Sequence, residues 1–490
     1  MVFTALDFWV FFIAVFAGFA LLADKTKLRN AYLMLASFFF YFKTSGLFLF
    51  LLFFSIIIGF GFGALIHKSS AQWKRKALLF LSLSVHLLLL FYFKYAYFFI
   101  DIVNDLTGLN LAIFNPLASI GNMVMQGNYF RIDAILLPVG ISFFTFQIIT
   151  YVVDIYRGKL KPIDSLLDFG FYVSFFPQLV AGPIVRASEF IPQLHKRSIL
   201  TQAEFGLALF MILKGLFKKI FIGDYMAVNF IDRVFSNPLS YTGIENITAL
   251  FAYSLQVYVD FSGYTDIAIG LSLLMGFKLS DNFNSPYKAL SVADFWRRWH
   301  ISLSTFLKDY LYIPIGGNQH GRLRTNVNLM ITMLLGGLWH GASWNFITWG
   351  AINGTGLLIY KSWKKISPYE KSTHWATRIW RIGFTFTFIT FTRLWFRAPD
   401  TEGVAQFFHQ LKTNMGWAIL PDFIIGFKYT LMVMILGFIT HWLSFDFKTK
   451  WRDWFINAHP VKQGIICIVV IIIIYQSISA DAQPFIYFQF

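Results

Sequence analysis

Apolar stretches near the length of a membrane span recur along the whole sequence. A helix needs about 17 to 25 residues to cross a bilayer. The first stretch, residues 6–22, is followed by basic residues instead of preceded by them, which favours a retained helix over a cleaved signal peptide. Residues 31–42 form a short stretch, typical of a tilted or partly inserted helix. The further stretches are residues 47–66, 77–99, 133–153, 166–180, 205–222, 247–275, 329–360, 382–396, 424–442 and 464–479.

Together these stretches predict an all-α, polytopic membrane protein of about ten to twelve transmembrane or re-entrant helices. Proline breaks the stretch at residues 166–180, and such breaks are tolerated where backbone groups are buried in protein or line a wet cavity. No long soluble domain interrupts the pattern, so we expect one membrane-embedded domain, 1–490. Within it we distinguish N-terminal helices (1–132), a core (133–360) and C-terminal helices (361–490).

Composition agrees with the membrane assignment. Of the 490 residues, 57% are hydrophobic, 20% aromatic and only 13% charged, whereas about a quarter of the residues in a soluble domain are charged. The single cysteine, Cys467, excludes an intramolecular disulfide and a cysteine-based metal cluster.

The net charge of +16 does not indicate nucleic-acid binding, because the basic residues lie mainly in short loops between apolar stretches. Basic loops stay on the cytoplasmic side of a membrane. The loop at residues 67–76 and the segment 157–161 are therefore expected inside, and the stretch 101–131 outside. We predict a multi-pass protein of a bacterial-type inner membrane, in contact with lipid.

Residues 277–328 are more polar than the rest and are broken by proline and glycine. Within them, residues 292–312 have helical spacing, with apolar and aromatic residues on one arc and basic residues elsewhere. We expect a helix at the membrane interface. Its basic side fits either docking of an anionic donor or carrier, or contact with anionic lipid headgroups, and both interpretations stay open.

His340 lies in the otherwise uncharged stretch 329–360. An ionisable group at membrane depth costs about 2.5 to 3.5 kcal/mol on insertion scales and suggests function. Histidine, with an unperturbed pKa of about 6.5, suits proton transfer near neutral pH. The small residues around it fit close approach of an acyl chain or tight helix packing. Trp339 is a candidate pocket wall, and Asn345 a candidate polar partner.

Two blocks of sequence resemble the signatures of the membrane-bound O-acyltransferase (MBOAT) family. They are residues 295–304 (FWRRWHISLS), continued by 307–313 (LKDYLYI), and residues 336–341 (GGLWHG). The alginate O-acetylation branch is the nearest match within the family. Further blocks similar to that branch are residues 137–143, 176–183, 260–270 and 485–490.

The resemblance implies helices that enclose a tunnel, with acyl transfer from a cytoplasmic donor to an acceptor hydroxyl. It assigns the catalytic role to His340 and a second important position to His300, which could also simply bond a carbonyl or headgroup near the interface. A histidine can act as a general base or become acylated itself, and the sequence does not separate the two routes. Further candidates for substrate contact or tunnel lining are Trp299, Arg297, Asp309 and Tyr310.

The predicted function is therefore O-acetylation of an extracytoplasmic polysaccharide, with acetyl-CoA or an acyl carrier protein as donor and no tightly bound cofactor. A separate extracytoplasmic acetyltransferase is the expected partner. We expect no metal site, because two histidines need a third ligand that no compact motif supplies. The alternatives are D-alanyl transfer to teichoic acid, peptidoglycan as acceptor, a transporter or flippase without acyl chemistry, and a scaffold for an acetylation complex.

Overall fold

The computed structural model describes residues 1–128, 130–180, 182–197, 200–477 and 485. Within these ranges the regular structure is helical and contains no strand, which confirms the all-α prediction. The α-helices are α1 (Leu6–Leu22), α2 (Thr26–Ser45), α3 (Leu49–Lys68), α4 (Gln72–Thr107), α5 (Pro116–Val124), α6 (Ile141–Tyr156), α7 (Leu166–Ser174), α8 (Phe176–Leu179), α9 (Ala187–Leu194), α10 (Gln202–Leu216), α11 (Asp232–Ser236), α12 (Gly243–Leu274), α13 (Val292–Arg298), α14 (Ile301–Phe306), α15 (Gly321–His340), α16 (Trp344–Ile366), α17 (Trp375–Arg397), α18 (Thr401–Thr413), α19 (Leu420–Gly426), α20 (Lys428–Trp442), α21 (Phe445–Ile456) and α22 (Pro460–Ser477).

Shorter helical segments connect these helices. Three are π-helical: Phe217–Asp224, Ala227–Ile231 and Leu307–Tyr312. Four are 3₁₀ turns: Gly46–Phe48, Pro238–Ser240, Pro286–Lys288 and Trp417–Ile419.

Several helices in the first half follow the sequence prediction. α1 has the predicted bounds and buries one side against the bundle. α7 and α8 are separated at Phe175, close to the predicted proline break. The expectation of a short helix at residues 31–42 is wrong, since α2 has 20 residues. α6 begins at Ile141 instead of residue 133, after Gly140 at φ +75°. A Cβ on Gly140 would lie only 2.7 Å from the Leu179 carbonyl oxygen.

By length and apolarity, three described helical stretches qualify as membrane spans, namely Thr26–Lys68, α4 and α22. A fourth qualifies if Trp417–Gly426 and α20, which meet at 84°, count as one bent span. The span predicted at residues 424–442 is therefore divided, because its first residues belong to α19 and the others to α20. Other helices of sufficient length carry polar groups that they bury inside the bundle. The total of ten to twelve segments stays a prediction, as does the division of the chain into three parts.

α12 is the buried centre of the bundle. It has 32 residues, most of them buried, and it carries two carboxylates that lysines on the preceding helical segments neutralise. Asp266 pairs with Lys214 at 3.0 Å and Lys218 at 2.7 Å, and Asp260 pairs with Lys219 at 2.5 Å. Paired charges of this kind let a polar seam exist inside an apolar bundle.

The two regions that carry the signature blocks are each broken where the sequence predicted one helix. Residues 292–312 form α13, α14 and a π-helical segment, with His300 at φ +42° between α13 and α14. Residues 329–360 form two helices, because α15 ends at His340 and α16 starts at Trp344. His340 is therefore the last residue of a helix and does not lie in the middle of a span.

Candidate active site

The end of α15 places His340 next to a helix that folds straight back. A Cβ on Gly337 would collide with the carbonyl oxygen of Phe346, and a Cβ on Gly341 with the Phe346 ring. α16 therefore crosses α15 at a distance that only glycine allows. Of the two explanations for the small residues around His340, the structure supports helix packing.

The C-terminal carbonyl groups of α15 are bonded by side chains of α4. Lys94 donates through Nζ to the carbonyls of Trp339 at 2.6 Å and His340 at 3.1 Å, and the Tyr95 hydroxyl donates to Leu338 at 3.1 Å. A helix leaves its last four carbonyls without partners and carries a partial negative charge there. An ammonium group satisfies both needs and fixes the position of His340.

The ring of His340 is enclosed by aromatic rings. The residue is 3% exposed, and its ring centroid lies 4.9 Å from Trp339, 5.1 Å from Trp349 and 5.0 Å from Phe396. Such a cage excludes bulk water, which strengthens electrostatic interactions within it.

His300 is also fully buried, and Asn282 holds its ring. Asn282 Oδ1 lies 3.2 Å from His300 Nδ1 and also accepts from the backbone N–H of Ser302 at 3.1 Å and from its hydroxyl at 3.0 Å. An oxygen that already accepts two hydrogen bonds acts as an acceptor towards the imidazole as well. Nδ1 therefore carries the proton in the neutral ring, and Nε2 is the basic nitrogen.

Trp339 brings the two histidines together. Its ring centroid lies 6.0 Å from that of His300 and 4.9 Å from that of His340. The two positions that the family resemblance singles out are 40 residues apart in sequence, yet they contact the same indole. This arrangement is the candidate active site.

A buried arginine that the sequence did not single out lies beside this site. Arg393 is 2% exposed, and its guanidinium stacks on Trp299 at 4.3 Å from the ring centroid, with Phe396 at 5.5 Å. A cation on a desolvated indole is stabilised by the ring quadrupole. Trp299 is thus linked to the rings around His340 by Arg393, which contacts both Trp299 and Phe396. The signal in the sequence was an arginine inside the apolar stretch 382–396.

Two predicted site residues are not at the histidines. Arg297 is exposed, with 71% of its side chain accessible, and pairs with Asp294 at 3.2 Å. Its assignment to substrate contact or tunnel lining stays a prediction. Asn345 is buried, but its Nδ2 donates to the carbonyl of Ala398 at 3.1 Å. This bond ties α16 to the residue that follows α17.

Asp309 and Tyr310 form a separate polar cluster. Asp309 pairs with Arg186 at 2.5 Å, and the Tyr310 hydroxyl donates to Asp154 at 2.8 Å. Arg157, in the basic segment assigned to the cytoplasmic side, lies over the Tyr310 ring at 5.2 Å. The positive-inside bias therefore predicts that this cluster lies at the cytoplasmic end.

A column of stacked rings joins that cluster to the histidines. Phe306 stacks on Tyr310 at 5.2 Å and on Phe146 at 4.0 Å, and Phe146 stacks on Trp339 at 5.6 Å. Trp339 also lines a small cavity of about 70 Å³, together with Lys94, Gly140 and Phe143 among others. The candidate site thus contacts both the ring column that leads to the cluster of Asp309 and Tyr310 and a cavity beside the loop before α6. Over the residues that the structure describes, no group of three His, Cys, Asp or Glu side chains is placed to hold a metal.

Comparison with known proteins decides the family. The sequence profile of the membrane-bound O-acyltransferase family matches residues 159–398, which include both histidines. The chain is 33% identical to a peptidoglycan O-acetyltransferase of Helicobacter pylori over 99% of its own length and 97% of the relative. The chain belongs to the membrane-bound O-acyltransferase family. It is therefore a polytopic membrane protein and an O-acyltransferase, which favours acyl chemistry over the transporter hypothesis.

Relatives within the membrane-bound O-acyltransferases differ in acceptor. The probable alginate O-acetylase AlgI of Pseudomonas putida is 35% identical over 74% of the chain and 76% of the relative. A teichoic acid D-alanyltransferase of Bacillus subtilis is 29% identical over 52% of the chain and 67% of the relative. Of the blocks that resembled the alginate branch, Ala181 in the second block and residues 486–490 in the last lie outside the described residues.

Proposed function

We propose that this O-acyltransferase moves an acetyl group from a cytoplasmic thioester donor to an extracytoplasmic polysaccharide, with His340 at the reacting centre. The observation that carries the proposal is the pair of buried histidines on one tryptophan. A column of stacked rings joins this tryptophan to the cluster of Asp309 and Tyr310, and the tryptophan also lines a small cavity. Relatives named for O-acetylation of peptidoglycan and alginate support the acetyl group and a saccharide acceptor. We place the protein in the inner membrane.

Acyl transfer by either route requires an unprotonated imidazole of His340 in a site that excludes water. As a general base, His340 accepts the proton of the acceptor hydroxyl while the hydroxyl oxygen attacks the thioester carbon. The carbon–sulfur bond then breaks, and the leaving thiolate takes the proton. A positioned base contributes about 10²- to 10⁴-fold to rate, and holding both reactants in place supplies the rest.

As a relay, His340 attacks the thioester carbon through its unprotonated nitrogen, the carbon–sulfur bond breaks, and the leaving thiolate takes the proton of the other ring nitrogen. The acceptor hydroxyl oxygen then attacks the acetylimidazole, the carbon–nitrogen bond breaks, and the hydroxyl proton returns to the imidazole. The relay suits a site that must bridge two sides of a membrane, because donor and acceptor need not be bound together. Rapid quenching with labelled acetyl-CoA, followed by mass spectrometry of peptides containing His340, separates the routes, since only the relay predicts a labelled histidine.

Donor and acceptor are tested together in membrane vesicles that contain the protein. We expect label from [¹⁴C]acetyl-CoA or acetyl-carrier protein to appear in a saccharide polymer when an extracytoplasmic acetyltransferase partner is present. Peptidoglycan, alginate and teichoic acid are supplied in parallel, with D-alanyl carrier protein as the competing donor. Transfer of D-alanine without transfer of acetyl would overturn the proposal and favour the teichoic acid alternative.

A further inference from the structure

A second, much larger cavity lies away from the two histidines, between α10, α12, α20 and α21. Its volume is about 1040 Å³, at the upper end of ordinary ligand pockets, which measure about 300 to 1,000 Å³. Part of its wall is apolar and aromatic, formed by Phe210, Ile269, Phe447 and Trp451. A cavity of this size and lining accommodates a long, largely apolar chain.

The polar part of the wall is dominated by cations. Five lysine and arginine side chains and three carboxylates line the cavity. Lys214 and Lys218 share the single carboxylate of Asp266, which leaves excess positive charge. Lys448 donates to the backbone carbonyl of His441 at 2.8 Å, and no carboxylate in the described part of the chain lies within salt-bridge distance of it.

Lys448 lies on α21, outside the candidate spans, and other lysines crowd it. Burial, together with the neighbouring charges of Lys288, Lys218 and Lys214, lowers the pKa of Lys448 to about 8. Because Asp266 supplies one negative charge for both Lys214 and Lys218, an anion bound among these lysines would be stabilised.

His441 adds an unsatisfied donor to the same wall. The residue is 2% exposed, and neither ring nitrogen has a hydrogen-bond partner among the described residues. Tyr258 and Tyr287 hold the ring at centroid distances of 4.7 and 5.2 Å. Buried polar groups are almost always bonded, so a ligand atom in the cavity is the expected partner.

The position of the cavity gives it a direction. Its lining includes Glu204 and Lys278, which pair at 2.9 Å. The Lys278 carbonyl accepts from Gln193 at 3.0 Å, next to Leu194, whose carbonyl accepts from Arg29 of the basic segment after α1 at 2.7 Å. The lining also includes Asn282, the residue that holds His300. The cavity therefore reaches from the end of the bundle that is predicted to be cytoplasmic to a residue that contacts the candidate active site.

We propose that this cavity binds a phosphate-bearing amphiphile, with the phosphate held by Lys218, Lys448 and His441 and the chain along the aromatic wall. Ammonium and imidazole donors to phosphate form strong, charge-assisted hydrogen bonds. Two molecules offer this chemistry: a phospholipid of the inner leaflet and a CoA thioester. If the ligand is the CoA thioester, the inference rests on the proposed acetyl transfer.

The test measures binding in the purified full-length protein, with two probes. The first probe is [³H]CoA, whose binding is measured by equilibrium dialysis. The second is phosphatidylglycerol, whose binding is quantified by native mass spectrometry after reconstitution in phosphatidylcholine nanodiscs in which about one lipid in five is phosphatidylglycerol. The double variant Lys218→Gln/Lys448→Gln and the single variant His441→Leu are compared with Lys428→Gln, at the opposite end of α20. We expect the double variant to weaken binding of one probe at least about tenfold, which is 1.4 kcal/mol, and the control to bind like the wild type.

Loss of CoA binding alone identifies the donor, and loss of phosphatidylglycerol alone identifies a lipid. If a well-folded double variant binds both probes like the wild type, the proposal is overturned. Should the variants fail to fold, labelling of wild-type lysines with an amine reagent decides. At least one of the two probes is expected to protect Lys448 and not Lys428, and equal labelling of Lys448 without a probe and with either probe refutes the site. The binding measurements are repeated with the His340→Ala variant. Because they do not depend on catalysis by His340, a failure of the catalytic proposal does not affect their interpretation.

Discussion

Asn282 decides which nitrogen of His300 carries the proton. It accepts three hydrogen bonds through one oxygen, two from Ser302 and one from the imidazole. The same contacts fix the start of α14, where His300 takes a backbone conformation, φ +42°, that few residues other than glycine adopt. The Asn282 amide thus bonds both the ring of His300 and the start of α14.

Replacing Asn282 by Ala removes the acceptor and leaves Ser302 and His300 with unbonded buried donors, which costs about 1 to 3 kcal/mol of stability. We expect transferase activity to fall about 10- to 100-fold, by analogy with other groups that orient functional histidines. Asn282→Asp keeps an acceptor oxygen and should restore most of the activity.

Activity and thermal stability are measured for both variants in detergent. Asn326→Ala is the control for losing a side-chain hydrogen bond elsewhere, because the Asn326 amide accepts a hydrogen bond from Lys361 at 3.0 Å. Equal activity of the Ala and Asp variants would contradict a positioning role for Asn282.

At the scale of the helices, the turn after His340 sets the shape of the site. α16 packs onto α15 through reciprocal glycine contacts, since a Cβ on Gly350 would lie 2.5 Å from the Met333 carbonyl and one on Gly354 would lie 2.8 Å from the Met330 sulfur. The aromatic residues that enclose His340 come from α15, α16 and α17 together. The separation of these helices therefore determines the cage.

Gly337→Val forces α15 and α16 apart, because its side chain would overlap the Phe346 carbonyl. Overpacking of this kind costs about 1 to 3 kcal/mol, so we expect a lower melting temperature in detergent and loss of activity from a distorted cage. Gly383→Ala on α17, where a Cβ meets nothing within 4 Å, is the matched control. A Gly337→Val protein as stable and active as the control would contradict the packing account.

The sequence predicted the helices better than their breaks, for a physical reason. Apolar periodicity depends on local spacing, and it continues across Gly341 and across His300. The breaks depend on distant partners: the Phe346 ring fills the space beside Gly341, and Asn282 holds His300. Likewise His340 was visible as a costly imidazole in an apolar stretch, whereas its support by Lys94 requires contact between residues 246 positions apart.

For the whole molecule, orientation in the membrane links the geometry to function. The basic loop after α3 and the segment after α6 meet, since Arg75 donates to the Tyr156 carbonyl at 2.8 Å. In the C-terminal half of α4, the Tyr92 hydroxyl donates to Asn115 at 2.6 Å, so the stretch predicted to lie outside contacts α4 near Lys94. Which side of the membrane each end faces stays a prediction.

Cysteine labelling checks this orientation. The experiment is practical because the sequence has a single cysteine, Cys467, which is first replaced by Ser. Ser70 and Asn110 are both exposed, one in the basic loop and one in the stretch after α4. We expect a membrane-impermeant maleimide to label Asn110→Cys in intact cells, and Ser70→Cys only after permeabilisation. The reverse pattern would show that the donor and acceptor sides are assigned the wrong way round.

The role of His340 is tested most directly in proteoliposomes that contain the purified protein, labelled acetyl-CoA, the extracytoplasmic partner and a saccharide acceptor. We predict that His340→Ala reduces acceptor-dependent release of CoA by at least about 10²-fold, while its melting temperature and its CoA binding stay near those of the wild type. A correctly folded His340→Ala protein that transfers acetyl groups at the wild-type rate would contradict the account.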